Sequence, residues 1–258
     1  MRPVRVRALV LVLLVVVLPS SHARQRTNVE AASPHLLRNL PTALNPHTAA
    51  LGDRVLVPGK EKTVLTGQFV DETGKSSAVR LTLQLPGLVR LEGLTPDGPP
   101  LTFDGETRSL RNSHREEAIL ETFTSDTAEG MLSAIKEGAA VQLIARRVGP
   151  GTSKRQDNAS PPYDIYEVSA PIRSSATGLE RLKRYFFDSE TGLLASTQYL
   201  DETFSPPMGV ETRFSNWRSG DGSAYPERIE RLENGHQVFS LIVTTIAASP
   251  RQDPASFR

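Results

Sequence analysis

Histidines, acids and hydroxyls are the side chains here that could carry chemistry, and their spacing assigns them none. Beyond residue 23 there are four histidines: His35, His47, His114 and His236. No two stand at the H-x-x-x-H interval that puts two imidazoles on one helix face for a metal. No His-Glu-x-x-His run is present either. Cysteine is absent, which removes thiolate nucleophiles, Cys-based zinc sites and disulfides together. His114 follows Ser113 and precedes Glu116 and Glu117, but a Ser/His/acid triad assembles in space, so adjacency in sequence does not make one. There is no G-x-S-x-G elbow and no glycine-rich loop to cradle a phosphate. Asp188 and Asp221 sit in Gly-containing turns, where a carboxylate accepts backbone N–H bonds. His236, after an Asn-Gly turn, reads as a solvated turn residue. The expectation is a protein that is not an enzyme, with no catalytic residue, no metal ligand and no cofactor.

The remaining chemistry is apolar. Val79, Leu81, Leu83 and Leu85 share one face of a segment that alternates apolar and polar residues without a break. Phe239, Leu241 and Val243 share a face of the last long segment, with Val238, Ile242 and Ile246 opposite. Two apolar faces on one strand predict cover on both sides. Two readings of these stripes stand open. They are ordinary core, or they wall a concave, mostly apolar cavity. On the second reading Leu81, Leu83, Leu85, Phe239, Leu241 and Val243 bind the ligand, together with Phe187 and Phe214. Met131, Leu132 and Ile135 form the lid, methionine being suited to adaptable contacts. Trp217, the single tryptophan, fits either the rim or the core.

The elements that would position these residues are mostly strands. Patterning starts at Lys62, and 64–70 precedes a turn at 71–75. The alternating run 79–85 continues through Val89 and Leu91 after Pro86-Gly87, and Leu101–Phe103 is a short strand entering a turn. From Leu182 onward hairpins follow one another. Segments 184–188 and 193–200 flank Ser189-Glu190-Thr191-Gly192. A strand over 210–217 leads through Gly220-Asp221-Gly222 to one opening at Tyr225-Pro226. Segments 227–233 and 236–246 flank Asn234-Gly235, and Asn-Gly between β-favouring runs is a strong hairpin signal. The helix candidate spans 116–138, as two helices or one broken near Thr124, with Ser125 or Asp126 capping the second stretch. Segments 139–148 and 163–168 read as paired strands around a polar loop at 149–162. Strands, a helical insert and more strands predict an α+β fold with a mostly antiparallel curved sheet. Such a sheet curls into a barrel, or into a half-barrel with helices on the open side.

The ends bound location and partners. Arg2, Arg5 and Arg7 precede an apolar run over 8–18, then Pro19 and Ser21-His22-Ala23. That is the layout of a cleavable signal peptide cut after Ala23. The run is short of the roughly 20 residues a membrane span needs, so no transmembrane anchor is expected after cleavage. Three of the 30 basic residues lie in this leader, leaving 27 against 29 acidic ones. With no basic block to neutralise phosphates, nucleic acid is not an expected partner. Residues 24–59 form an N-terminal arm. A short helix over 31–44, with Leu36, Leu37, Leu40 and Leu44 on one face, competes there with Pro34, Pro41 and Pro46. The main domain is expected over 60–258, in a periplasmic or secreted protein.

Several segments resemble the outer-membrane lipoprotein carrier and sorting superfamily, the LolA-like proteins. Phe103-Asp104-Gly105 is similar to that family's strand-to-turn element before its helices. Phe187-Asp188-Ser189-Glu190-Thr191-Gly192-Leu193 resembles its D-x-x-T-G-L hairpin. Asn216-Trp217-Arg218, Gly220-Asp221-Gly222 and Tyr225-Pro226-Glu227-Arg228-Ile229 resemble its Y-R-x-x-D-G-x-x-x-P-x-x-I segment, and 253–257 its closing segment ending in Phe. The resemblance implies an unclosed β-barrel covered by helices, with a hydrophobic concavity for lipid or lipoprotein acyl chains. An alternative is an interaction or sensor module of the same fold, whose groove is self-filled and whose partner is another envelope protein.

Overall fold

The structure is a computed structural model and describes residues 40–52, 61–84, 87–104, 113–146, 163–171, 180–220 and 223–257. Helix α1 (Leu40–Leu51) comes first, then strands β1 (Glu61–Asp71), β2 (Ser76–Gln84), β3 (Leu88–Glu92) and β4 (Leu101–Phe103). Helices α2 (His114–Thr124) and α3 (Ala128–Lys136) follow. The rest is β5 (Ala140–Arg146), β6 (Tyr163–Pro171), β7 (Glu180–Asp188), β8 (Leu194–Asp201), β9 (Met208–Gly220), β10 (Ser223–Glu233) and β11 (His236–Pro250). A 3-10 turn at Pro254–Phe257 closes the described chain.

The eleven strands make one antiparallel sheet in the order β4-β3-β2-β1-β11-β10-β9-β8-β7-β6-β5. Only the β1–β11 pairing joins strands distant in sequence. The chain leaves the sheet at one edge, β4, passes through α2 and α3, and re-enters at the other, β5. The two edges do not meet, so the sheet is an unclosed half-barrel, curved by the ordinary right-handed twist of its strands. The expected α+β class and half-barrel form are the ones observed.

Local chemistry explains the hairpins. The Asp71 carboxylate accepts the backbone N–H groups of Thr73 and Lys75, both at 3.0 Å. Asp188 does the same for Glu190 at 3.0 Å and Thr191 at 2.7 Å. Asn234 and Gly235 both take positive φ, 50° and 82°, the geometry a two-residue hairpin matched to strand twist requires. At the far end, Gln84 donates to the Gln252 carbonyl at 3.1 Å and accepts its N–H at 2.8 Å, tying the closing segment to β2.

The helices depart from sequence expectation in two places. The break near Thr124 is real, but the cap of α3 is Thr127, which accepts the Gly130 N–H at 3.1 Å. Ser125 and Asp126 are instead drawn inward to strand side chains. A Cβ at Gly130 would collide with the Thr124 carbonyl, so glycine permits the tight α2–α3 corner. Ser113 caps α2, and Glu116 returns the bond to the Ser113 N–H at 2.7 Å. That capping box accounts for the Ser113-His114-Glu116 grouping. Among the described residues the first helix, α1, covers Leu40–Leu51 and so overlaps the expected 31–44 helix at its end and runs on past it. Residues 31–39 fall outside the described set. Pro41 sits in the first turn of α1, where its missing N–H costs little. Leu44 and Leu51 are buried in the core.

The expectation that both faces of the last strand are covered needs correction. Phe239, Leu241 and Val243 point into the core and Ile242 is 39% exposed on the outer face. Val238 and Ile246, expected on the face of Ile242, pack against the core, because register shifts beside them reset the alternation. Leu85, Asp221, His35 and the 149–162 loop lie outside the described residues.

Candidate functional site

The concave face gathers most of the side chains singled out from the sequence. Leu81, Met131, Phe187, Phe214, Phe239, Leu241 and Val243 are buried in one continuous core cluster. Leu83, Leu132, Ile135 and Trp217 are half-buried against it. They spread along the whole face. Phe239 stacks on Phe69 at 5.1 Å between centroids and meets Phe123 of α2 at 6.4 Å. Phe187 lies at the other end, against Tyr166 at 5.7 Å and His47 of α1 at 4.4 Å. Trp217 donates its indole N–H to the Leu194 carbonyl at 3.1 Å and stands near Phe214 at 6.5 Å. Strict alternation would put Phe214 and Trp217 on opposite faces. Asn216, with φ of 55°, turns the strand between them.

Seating of the three helices differs. On α2, Ala118, Ile119, Leu120, Thr122 and Phe123 are buried, whereas α3 buries only Ala128 and Met131. The α1 end is fitted closely to the 188–193 hairpin. A Cβ on Gly192, whose φ is +73°, would crowd Ala50 and the Pro46 carbonyl at 3.0 Å. His47 Nδ1 lies 3.1 Å from the Gly192 carbonyl and donates to it, since a carbonyl only accepts.

A second group of side chains, which the sequence patterning passed over, shares this face. Under the α2–α3 corner, Arg181 and Lys183 of β7 and Arg231 of β10 converge on Glu121 and Asp126. Lys183 Nζ donates to Asp126 at 2.5 Å, to Ser125 Oγ at 2.8 Å and to Glu121 at 3.1 Å. Arg181 pairs with Glu121 and, at 2.8 Å, with Asp201. Arg231 reaches Glu233 at 3.0 Å, Asp126 at 3.4 Å and Glu121 at 3.7 Å. Thr212 donates to the Asp126 carboxylate at 2.8 Å and Thr197 to its carbonyl at 2.6 Å. The Tyr199 ring carries the Lys183 ammonium at 4.3 Å and the Arg181 guanidinium at 4.9 Å. Asp126 is 0% exposed and Arg231 1%.

Electrostatics follow from this packing. Burial alone would raise the Glu121 pKa, but Lys183, Arg181 and Arg231 outweigh it and hold the carboxyl well below the usual carboxylate range. Burial, with Asp126 and Glu121 nearby, pushes the Tyr185 and Tyr199 hydroxyls well above theirs. Both tyrosines therefore stay neutral and act as hydrogen-bonding groups.

A parity signal for this cluster does exist in the sequence. Arg181, Lys183, Tyr185 and Phe187 alternate along β7, so an inward Phe187 places the two cations inside. Arg231 shares parity with Ile229 on β10. It stands directly across from Phe239 of β11, so the charged end and the apolar wall adjoin. Arg181 and Tyr199 also line a cleft of about 620 Å³ with Leu182, Leu200, Glu202 and Thr203.

Among the described residues no cluster of His, Asp and Glu is arranged to hold a metal. No described helix is long and apolar enough to cross a membrane. His114 Nε2 meets Glu233 at 3.0 Å beside Phe204, away from Ser113 Oγ, which the cap occupies.

No family model matches the chain, and no curated protein matches it in sequence. Solved structures do match in shape. One is the LolA superfamily protein NE2245 from Nitrosomonas europaea, with 10% identity, a TM-score of 0.50 and coverage of 84% of this chain and 96% of that one. Another, from Vibrio parahaemolyticus, is a domain assigned to an outer membrane lipoprotein-sorting protein. It has 8% identity, a TM-score of 0.50 and coverage of 85% and 94%. At such identities the likeness establishes the fold, and that fold is the LolA-like unclosed half-barrel.

Proposed function

We propose that this is an exported, non-enzymatic protein of bacterial envelope type that binds a hydrophobic ligand, a lipid or lipoprotein acyl chains, against the concave face. The observation that carries the reading is the continuity of the apolar cluster beneath the cover helix α3, which buries Ala128 and Met131 outright and rests Leu132 and Ile135 half-buried on it. Moving α3 uncovers Met131 and the strand residues beneath it, and each acyl methylene that takes their place gains about 0.8 kcal/mol. Export, to the periplasm or by secretion beyond it, rests on the leader at 1–23, with cleavage after Ala23. The neighbour from Vibrio parahaemolyticus is assigned to lipoprotein sorting, which favours a lipid over other apolar ligands.

The second reading is a protein-interaction module with a filled groove. It is favoured by the packing of Phe69, Phe123 and Phe239, which leaves their part of the face occupied by the protein's own rings. Native mass spectrometry of the mature protein, purified gently after export, separates the two. Lipid analysis of an organic extract of the same sample accompanies it. Stoichiometric lipid supports the ligand reading. An apo mass that takes up neither fatty acid nor phospholipid overturns it in favour of the module. Leu241→Asp is expected to abolish lipid uptake, and unchanged uptake in a folded variant would move the cavity elsewhere.

A further inference from the structure

We propose that the ligand of this face is an amphiphile with an anionic head, carboxylate or phosphate, held by Arg181, Lys183 and Arg231. Glu121 and Asp126 stand in for that head in the closed protein. The inference rests on the ligand reading above and adds the chemical class.

The argument lies in which element carries which charge. All three cations belong to the sheet. Of their carboxylate partners, Asp201 and Glu233 also belong to it: Asp201 pairs with Arg181, and Glu233 with Arg231 and with His114 of α2. Glu121 and Asp126 belong to the cover, and they supply every carboxylate paired with Lys183 among the described residues. Glu121 sits on α2 and Asp126 in the corner after it, so opening this end requires the corner to lift and not α3 alone. The sheet then keeps three cations against two carboxylates, and Lys183 loses its ionic partners. Closing over a ligand would desolvate Lys183 without a partner, which is costly, unless the ligand brings an anion. Guanidinium and ammonium groups converging on one point suit a carboxylate or phosphate.

Two further observations point to a ligand. The Arg181 Nε is buried and makes no hydrogen bond even with the cover in place. The cluster also adjoins what a tail would need, since Arg231 faces Phe239 across the β10–β11 ladder.

Three ligands with the same tail test the head: oleate, 1-oleoyl lysophosphatidate and 1-oleoylglycerol. Affinities are read by competition with a neutral alkyl dye, below micelle formation. Wild-type protein is expected to bind at least one of the two anionic ligands tenfold or more tighter than 1-oleoylglycerol. The stronger of the two identifies the head as carboxylate or phosphate. Lys183→Met is expected to cut the advantage below threefold, and Glu121→Gln to raise anionic affinity at least threefold. Equal wild-type affinity for all three ligands overturns this inference and leaves the ligand reading standing. Binding of none overturns both. The wild-type comparison decides even if a variant fails to fold.

Discussion

The apolar wall formed by β1–β3 and β11 and the charged end formed by β7–β10 both meet α2 and the corner that follows it, yet they hold them by different physics. At the wall, Phe239 sits between Phe69 and Phe123, and the stabilisation scales with area removed from water. No single partner is indispensable there, and a neighbour can relax into lost volume. At the charged end, Asp126 is bound by Lys183, Arg231 and Thr212 together. Each group is tolerable only because the others neutralise it. The contrast teaches that one cover is seated by non-directional packing at one end and by directional, exchangeable bonds at the other.

The sharpest way to break the comparison is at Asp126. Asp126→Ala strands Lys183 and Arg231, and the expected loss is about 3–5 kcal/mol, read from urea midpoints. Adding Lys183→Met should recover part of that loss, because the charge left unpaired is removed as well. A double-mutant cycle showing no coupling would mean the cluster is not acting as a unit. Phe239→Ala should also cost about 3–5 kcal/mol, but no second substitution at a charged position should rescue it.

These two regions also differ in how far the sequence revealed them. The hairpins, the short strand at Leu101–Phe103 and the helix break at Thr124 were legible, because turn chemistry and two-residue alternation are local. The inward stripe Phe239, Leu241 and Val243 was legible for the same reason. The charged end was not, because Arg, Lys and Glu are mostly exposed in proteins, and only the parity of Phe187 and Ile229 tells otherwise. Glu121 and Asp126 are harder still. Their inward direction depends on the α2–α3 corner, which rests on the close approach at Gly130. Helix α1 was obscured by its prolines, Pro41 in the first turn, where the missing N–H costs little, and Pro46 inside the helix.

Acid should separate the regions next. The Glu121 carboxyl is depressed below its ordinary 4.5 in the folded protein. Its stabilisation is therefore complete above the unfolded-state value. It declines as pH drops below about 4.5, since the unfolded chain takes up the proton first, and it is gone once pH passes the folded-state value. Urea midpoints from pH 7 to 3 should fall on the acid side, and Glu121→Gln should flatten that fall. An unchanged slope in the variant would assign acid sensitivity to another carboxylate.

A smaller effect is expected at the α2 cap, which lies outside both regions. Ser113→Ala removes the acceptor for the Glu116 N–H and should cost about 1 kcal/mol. The smallest tests the sidedness of β11. Leu241 and Ile242 are neighbours of similar size, one buried in the wall and one 39% exposed on the outer face. Leu241→Ala should cost about 2–5 kcal/mol, whereas Ile242→Ala should stay within about 0.5 kcal/mol. If the outer face of β11 were covered by another part of the protein or by a second copy, Ile242→Ala would approach the cost at Leu241. The cost would then depend on protein concentration in the second case alone. A loss near zero at all concentrations means that nothing packs on the outer face of β11 at Ile242, and that the wall is held from the Leu241 side alone.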